Sequence, residues 1–450
     1  MRFFKLEDRT FGVPEYDIVL NVKDEINVIQ WINEAERKGT IKRQKTDPNK
    51  YKETKALNNF CTNKIGVFLT TACQLSCQYC YYDSDNKNLC RQPEVLGKKQ
   101  MQGILNQVYR SSQLIAFLTH DEPKVTITLS GGGEPTIYWN NFTFFVDEIR
   151  SREKKLNIKT EVNLVCNGIL ELEQRKYIAE NINHLTLSYD GIPEIQKHQR
   201  CGRQEDHQLI EETLDFLSEK RFNYTIRVTV LPENVCRITE ICKYLFDKYI
   251  GLNQISFEPI AYSGRAEKME RDTREEFLKE YLKANNYVQE NYKKHIGCSL
   301  FPNTLQPALC GAWLGISPWI DAAGYIMPCN EKMDRKMYGL GRIDENGNLK
   351  YYDPQRTFHD ELRQKSLGGC TDCMALHYCN GGCPIVFTRD QNGELCTESA
   401  KSNCDMVKKY WNILYTKMAK KESFLNFTPK VIHEDEENDI RVIQIMEEEH

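Results

Sequence analysis

No apolar run in this chain approaches the ~20 residues that a bilayer-crossing helix needs. The opening stretch Met1-Arg2-Phe3-Phe4-Lys5-Leu6-Glu7-Asp8 carries charges where a signal peptide has its apolar core. Net charge is also small, −4 over 450 residues. Broad nucleic-acid binding needs basic surface, so that class is set aside. No internal repeat stands out beyond an alternation of short strands and helices. These absences leave the expectation of a cytoplasmic chain with no nucleic-acid and no membrane partner. The length suggests two or three domains with ample core.

Cysteine, in contrast, is plentiful: there are 18. Disulfide frameworks belong mainly to short secreted chains, whereas a long chain with clustered C-x2-C units keeps its thiols reduced and on metals. Soft thiolates select iron–sulfur clusters or zinc, and a low-oxygen setting is expected. The most informative group is Thr-Thr-Ala-Cys73-Gln-Leu-Ser-Cys77-Gln-Tyr79-Cys80-Tyr, with spacing C-x3-C-x2-C. Three thiolates on one short loop can hold three irons of a [4Fe–4S] cube, which leaves the fourth iron free for a substrate or cofactor. An electron carrier has no need of that open iron.

From about residue 64 to 295, short apolar runs alternate with helical stretches such as 208–220 and 236–249. The runs begin at Ile65, Val125, Glu161, Leu185, Thr225 and Gln254. They suit buried parallel strands, and six of them with helical crossovers predict parallel βα units. Six is too few for a closed eight-unit barrel. The expected fold is therefore α/β, an open, partial (β/α)6 TIM-like barrel.

The cysteine triplet follows the first strand and so sits at the C-terminal edge of the sheet, where such folds build their sites. Ser130-Gly131-Gly132-Gly133-Glu134-Pro135-Thr136 follows the second strand. Glycines there let backbone approach a ligand, and Glu134 could hold an amino acid's ammonium group. Taken alone, the glycine run reads as a tight turn. One strand away from the triplet, it reads as a ligand loop.

These residues resemble the radical S-adenosylmethionine (SAM) family over roughly residues 64–295. The resemblance rests on Cys73, Cys77, Cys80, the aromatic Tyr79, and Gly132-Gly133-Glu134-Pro135. It implies a cluster whose open iron chelates SAM and cleaves it to a 5′-deoxyadenosyl radical, with the protein supplying orientation and exclusion of water. Softer matches are Asn167-Gly168 and Ser188-Tyr189-Asp190-Gly191. The resemblance thus implies Tyr79, Gly132, Gly133, Glu134, Asn167 and Ser188 as cofactor-binding residues. Arg200 falls where a family arginine follows Asp-Gly, but Gln196-Lys197 stands where a His-Asp pair is common and receives no role. Arg227 either faces a SAM carboxylate or forms a strand-end ion pair.

A second group, Cys370, Cys373, Cys379 and Cys383, has the spacing C-x2-C-x5-C-x3-C. Upstream, Cys310 and Cys329 flank Gly324 as C-x13-G-x4-C, and Cys404 lies downstream. Alone, such a group also reads as a zinc ribbon. After a radical SAM core it resembles the SPASM extension, which implies two auxiliary [4Fe–4S] clusters and a C-terminal SPASM domain over about 296–415. By that resemblance Cys310, Cys329 and Cys383 hold the nearer cluster, and Cys370, Cys373, Cys379 and Cys404 the outer one. Cys404 is favoured over Cys396 because it precedes the Lys408-Lys409-Tyr410-Trp411 stretch. Either Cys298 completes the nearer cluster or one iron stays open. The total is three [4Fe–4S] clusters and SAM. Cys61, Cys90, Cys166, Cys201, Cys236 and Cys242 have no ligand spacing and read as small buried hydrophobes, with Cys90 and Cys201 in polar, loop-like sequence.

The domain reading is 1–63 as an N-terminal extension, 64–295 as the radical SAM barrel, 296–415 as SPASM, and 416–450 as an extension with an acidic tail. The first segment carries an amphipathic helix around Ile26–Glu36. It is short for the leader-binding domain of many peptide-modifying relatives, so it is either a truncated one or an edge strand and helix capping the barrel. The alternating stretch from Asp439 to Ile445 suits a strand added at a sheet edge.

The SPASM resemblance implies a precursor peptide substrate, a flavodoxin or ferredoxin-type reductant, and a maturase that installs a thioether, carbon–carbon or ether crosslink. The runner-up is an anaerobic sulfatase-maturing enzyme, which makes formylglycine. Those enzymes carry Asp directly after the cysteine of the Gly-x4-Cys unit. Here Asn330 stands there, and a neutral amide cannot accept a proton as a carboxylate does; Glu331 or Asp334 would have to substitute. From other classes come a non-catalytic iron–sulfur carrier or redox sensor, and a zinc-scaffolded interaction protein. Iron and sulfide at about twelve each per chain would exclude zinc.

Overall fold

The fold is that of a computed structural model. It describes residues 3–7, 9–22, 25–43, 61–82, 92–260, 265–266, 273–301, 317–331, 335, 339–351, 373–379, 388–389, 395–396, 398–425, 427–435 and 440–447. The chain divides into two compact units, one of residues 1–55, 297–310 and 360–450, the other of 56–296 and 311–359.

The first unit opens with an antiparallel meander of β1 (Phe4–Glu7), β2 (Thr10–Val13) and β3 (Ile18–Asn21). Helix α1 (Glu25–Lys38) follows, where a helix around Ile26–Glu36 is expected. Val28, Ile32 and Ala35 of α1 meet Phe11, Val13, Ile18 and Leu20 in one buried cluster. The three helix residues recur at intervals of three or four, the spacing of a single helical face.

The second unit is a run of βα units: β4 (Lys64–Phe68), α2 (Lys98–Thr119), β5 (Lys124–Ser130), α3 (Trp139–Leu156), β6 (Lys159–Cys166), α4 (Leu172–Asn181), β7 (His184–Ser188), α5 (Pro193–Arg200), α6 (Gln204–Glu219), β8 (Tyr224–Val230), α7 (Ile238–Lys248), β9 (Gln254–Pro259) and α8 (Arg274–Tyr292). Strands β4 to β9 pair in parallel in sequence order. They do not close on themselves. The sheet continues past β9 into β10 (Ile296–Gly297), and past β4 into β11 (Trp319–Ile320), β12 (Tyr325–Met327), β13 (Gly341–Ile343) and β14 (Leu349–Tyr351). Trp319 lies across Gly66, where any β-carbon would stand 2.1 Å from the indole.

These strands are not apolar on both faces. Burial alternates along β5 to β9. One face carries Val125, Ile127, Leu129, Val162, Leu164, Leu185, Leu187, Ile226, Val228, Ile255 and Phe257, all buried. Leu187 and Ile210 of α6 meet around Gly168 on that side. The other face carries Thr126, Thr128, Asn163, Thr186, Ser188, Arg227, Thr229, Ser256 and Glu258. Apolar helices cover one face only, and the remaining face is free to be polar.

The last elements return to the first unit: β15 (Thr388–Arg389), β16 (Leu395–Cys396), α9 (Glu398–Ala419), β17 (Phe427–Asp435) and β18 (Ile440–Glu447). The tail strand does not sit at a sheet edge as its sequence suggests. β18 lies inside the order β1-β2-β3-β18-β17, antiparallel to both neighbours. Its Val442, Ile443 and Ile445 are buried, and a strand with that much apolar surface belongs between others. β17 takes the edge, with Pro429, Lys430 and a bulge between Val431 and His433, features that discourage further pairing. Ile443→Ala should therefore cost about 2–5 kcal/mol in chemical denaturation and strip hydrogen-exchange protection from β3 amides; unchanged β3 protection would contradict the pairing.

Candidate active site

The site forms at the C-terminal edge of β4 to β8, where two loops meet backbone to backbone. The Gly133 amide donates to the Thr70 carbonyl at 3.1 Å, and the Glu134 amide to the Ala72 carbonyl at 2.6 Å. A β-carbon on Gly133 would stand 2.1 Å from the Ala72 carbonyl oxygen, and one on Gly132 would meet the Tyr82 ring at 2.6 Å. Only glycine allows this approach. The cysteine loop and the glycine–glutamate loop are thereby one surface, as their sequence positions suggest.

Cys73, Cys77 and Cys80 all lie on the loop after β4. Cys73 opens to solvent on one side, yet protein atoms crowd its sulfur. Desolvation, with the nearby Glu134 charge, pushes its thiol up to about 12. Desolvation also pushes Cys77 up to about 11, against the pull of Arg200. Among the described residues, no three His, Cys, Asp or Glu side chains close on a single metal ion. A four-iron cluster instead takes soft sulfur donors spread over several irons, and three thiols on one loop fit that donor set.

The loop is held from behind. The Gln78 amide and side chain donate to the carbonyls of Gln199 and His198 at the end of α5, both at 2.9 Å. Arg265 donates from its main chain to the Cys80 carbonyl at 3.1 Å and from its guanidinium to the Cys77 carbonyl at 2.9 Å. Asp190, fully buried, accepts the Tyr79 hydroxyl at 2.5 Å and two Arg200 nitrogens at 2.9 and 3.1 Å. Gln196 accepts the Asp190 amide at 2.8 Å, so a residue left without a role in the sequence steadies this hub. On the other side, Arg335 bridges Asp321 at 2.5 Å and Glu94 at 2.9 Å, and the Glu94 carbonyl accepts the Thr71 amide.

Glu134 is buried with neutral donors: Thr136 gives its amide and hydroxyl to one oxygen, and the Asn167 amide gives to the other at 2.8 Å. Burial pushes its carboxyl up to about 6 despite these bonds. The Asn167 side-chain Nδ2 is buried without a hydrogen-bond partner. Ser188 of β7 and Arg227 of β8 are register neighbours on the polar face, and Arg227 pairs across to Ser256 of β9. Tyr81 donates to the Gly131 carbonyl at 3.2 Å, and Asn330, Glu331 and Arg227 surround its phenol. Cys329 donates to Asn330 Oδ1 at 3.3 Å.

The remaining cysteines divide between the units. Cys329 is half-buried in the second. In the first, Cys298 is buried and Cys373, Cys379 and Cys404 are half-buried. Burial raises the Cys404 thiol, and Cys373 is close enough to add to the effect. Cys310, Cys370, Cys383, Cys90 and Asp334 lie outside the described residues, as does the Cys396 side chain. Cys166 and Cys242 are buried, whereas Cys201 and Cys236 are exposed and Cys61 half-buried. For Cys201 and Cys236, exposure replaces the burial expected of most such cysteines. No sequence pattern points to Arg265 or Arg335, whose partners are far along the chain, or to Gln199, which ties Asp190 to the Thr229 carbonyl.

Two outcomes follow from this geometry. Thiols that bind protons tightly must release them to iron, so iron incorporation into apo-protein should rise between pH 7 and 9; a flat profile would contradict the raised thiols. Gly133→Ala should part the two loops and weaken SAM binding by at least about tenfold, or ~1.4 kcal/mol, in equilibrium dialysis.

Comparison with known proteins agrees with this geometry. Residues 67–245 match the Radical SAM superfamily. A serine-type anaerobic sulfatase-maturating enzyme of Klebsiella aerogenes is 21% identical over 350 residues, covering 72% of this chain and 80% of that protein. Native anSMEcpe with bound AdoMet superposes at a TM-score of 0.61 and 17% identity, over 79% of this chain and 99% of that one. Streptococcus suis SuiB bound to S-adenosylmethionine superposes at 0.53 and 15% identity, over 88% and 99%. The fold is that of these proteins. The triplet and the Gly-Gly-Glu loop, brought together on one sheet edge, both fall within the span 67–245 that matches the Radical SAM superfamily.

Proposed function

We propose that this enzyme is a peptide maturase that removes a hydrogen atom from a residue of a ribosomally made precursor and installs a crosslink. When bound, the cluster and SAM supply the 5′-deoxyadenosyl radical. Cys73, Cys77 and Cys80 would hold the cluster, and Glu134, the Gly132–Gly133 backbone and Asn167 would hold SAM, with Glu134 accepting from its ammonium group. Tyr79 and Ser188 complete the cofactor side. The substrate would give up one hydrogen atom, with 5′-deoxyadenosine as the co-product. Closure of the crosslink then releases one proton and one electron, and the auxiliary clusters of a SPASM domain would take the electron. Cys298 or an open iron, with Cys310, Cys329 and Cys383, would serve one; Cys370, Cys373, Cys379 and Cys404 the other. A flavodoxin or ferredoxin-type protein would supply the reducing electron.

The observation that carries the crosslinking reading is the state of Asn330. Its amide hydrogen-bonds the Tyr81 phenol, and an amide, unlike a carboxylate, is not poised to take a substrate proton. The formylglycine reading stands beside it because the curated relative is a serine-type sulfatase-maturating enzyme, and native anSMEcpe has been solved with AdoMet and the Cp18Cys peptide.

Anaerobic reconstitution with dithionite and SAM should yield 5′-deoxyadenosine, read by mass spectrometry, and Cys73→Ala/Cys77→Ala/Cys80→Ala should abolish it. Product in the triple variant would end the site assignment. Neighbouring small peptides should lose two mass units on crosslinking, whereas a Cys- or Ser-containing sulfatase peptide should be unchanged; formylglycine in the latter decides for the second reading. Protonation removes the Glu134 carboxylate that an ammonium group needs. SAM affinity should therefore fall as pH drops through about 6 and hold steady from 7 to 8.

A further inference from the structure

Asp190 holds more partners than a loop anchor needs. It is fully buried at the end of β7. One oxygen, Oδ2, accepts the Tyr79 hydroxyl at 2.5 Å, Arg200 Nε at 3.1 Å and Gln199 Nε2 at 3.2 Å. The other, Oδ1, accepts Arg200 Nη2 at 2.9 Å and the Thr229 amide at 3.0 Å. The Arg200 guanidinium also lies over the Tyr79 ring, 5.5 Å from its centroid. Tyr79 lies between Cys77 and Cys80, directly before Cys80, and both Arg200 and Asp190 are near enough to Cys77 to act on its sulfur with opposite sign. A carboxylate and a guanidinium, both out of water, thus stand behind one thiolate of the triplet, and their balance is set by the neutral donors on Asp190.

We propose that Tyr79, Asp190 and Arg200 form a buried electrostatic hub that sets the reduction potential of the cluster held by Cys73, Cys77 and Cys80. The proposal rests on the reading of that triplet as the SAM-cleaving cluster. Cluster potentials respond to net charge and hydrogen bonding around the sulfurs, and partners behind the ligands tune such sites as surely as the ligands do. Low dielectric strengthens each effect. The Tyr79 hydroxyl withdraws charge from Asp190, so Cys77 meets more of the Arg200 cation and reduction becomes easier. Asp190 and Arg200 are positioning residues in this account, and the Tyr79 hydroxyl acts on the sulfur through them.

The test is an EPR-monitored redox titration of the reconstituted holoenzyme, with any other clusters in the same sample as internal reference. Tyr79→Phe deletes one donor from Asp190 and should lower the midpoint of the triplet cluster alone. Asp190→Asn removes the negative charge and should raise it. Opposite shifts from two variants of one hub are not produced by simple loosening of the loop. If Asp190→Asn fails to take up its iron, Tyr79→Phe decides: a lowered midpoint supports the hub, and an unmoved midpoint overturns it, even if turnover falls. Failure of the wild-type protein to form a SAM-responsive cluster overturns the underlying reading instead.

Discussion

The meeting of Ala72 with Gly133 and Glu134 is the contact on which the site depends. Two loops that follow adjacent strands meet there backbone to backbone, with the Tyr81 hydroxyl and the Tyr82 ring packed beside the contact. Each loop supplies what the other lacks, thiols on one side and a carboxylate with open peptide groups on the other. Hydrogen bonds between main-chain groups fix their separation more tightly than side-chain contacts would. The register of β4 against β5, Phe68 opposite Ser130, delivers both loops at the same height.

Two buried carboxylates flank this contact, and they are treated in opposite ways. Asp190 is matched by a guanidinium and a phenol, so its charge is satisfied within the fold. Glu134 receives only neutral donors, and its ionised form costs on the order of 2 kcal/mol at neutral pH. Because its carboxyl is raised, that cost is absent at low pH and grows as pH climbs through about 6. A cationic ligand group placed beside it would remove the cost on binding. One carboxylate is thus structural, and the other is held ready for a positive partner.

Much of this was legible in the sequence because it is local. The triplet, the glycine run and all six parallel strands are short patterns, and their positions after strands follow from βα geometry. The polar face of the sheet was less visible, because runs such as Thr126-Ile127-Thr128 score as apolar strand while alternating in direction. What escaped is non-local. Gln196 looked like a lost family residue until its oxygen was found on the Asp190 amide. Arg335 reaches both Glu94 and Asp321, positions that no spacing links. Asn330 reads as a missing base, and only its Tyr81 neighbour shows how the amide is used.

The place of β18 between β3 and β17 carries a consequence for synthesis. A chain leaves the ribosome from its N-terminus, and domains usually fold as they emerge. Here β3 waits for the partner on one of its sides while all six parallel strands are made. Its neighbour β18 is translated only after every element from α1 to β17. β3 is therefore made long before the strand that completes it, and all 18 cysteines precede that strand in the chain.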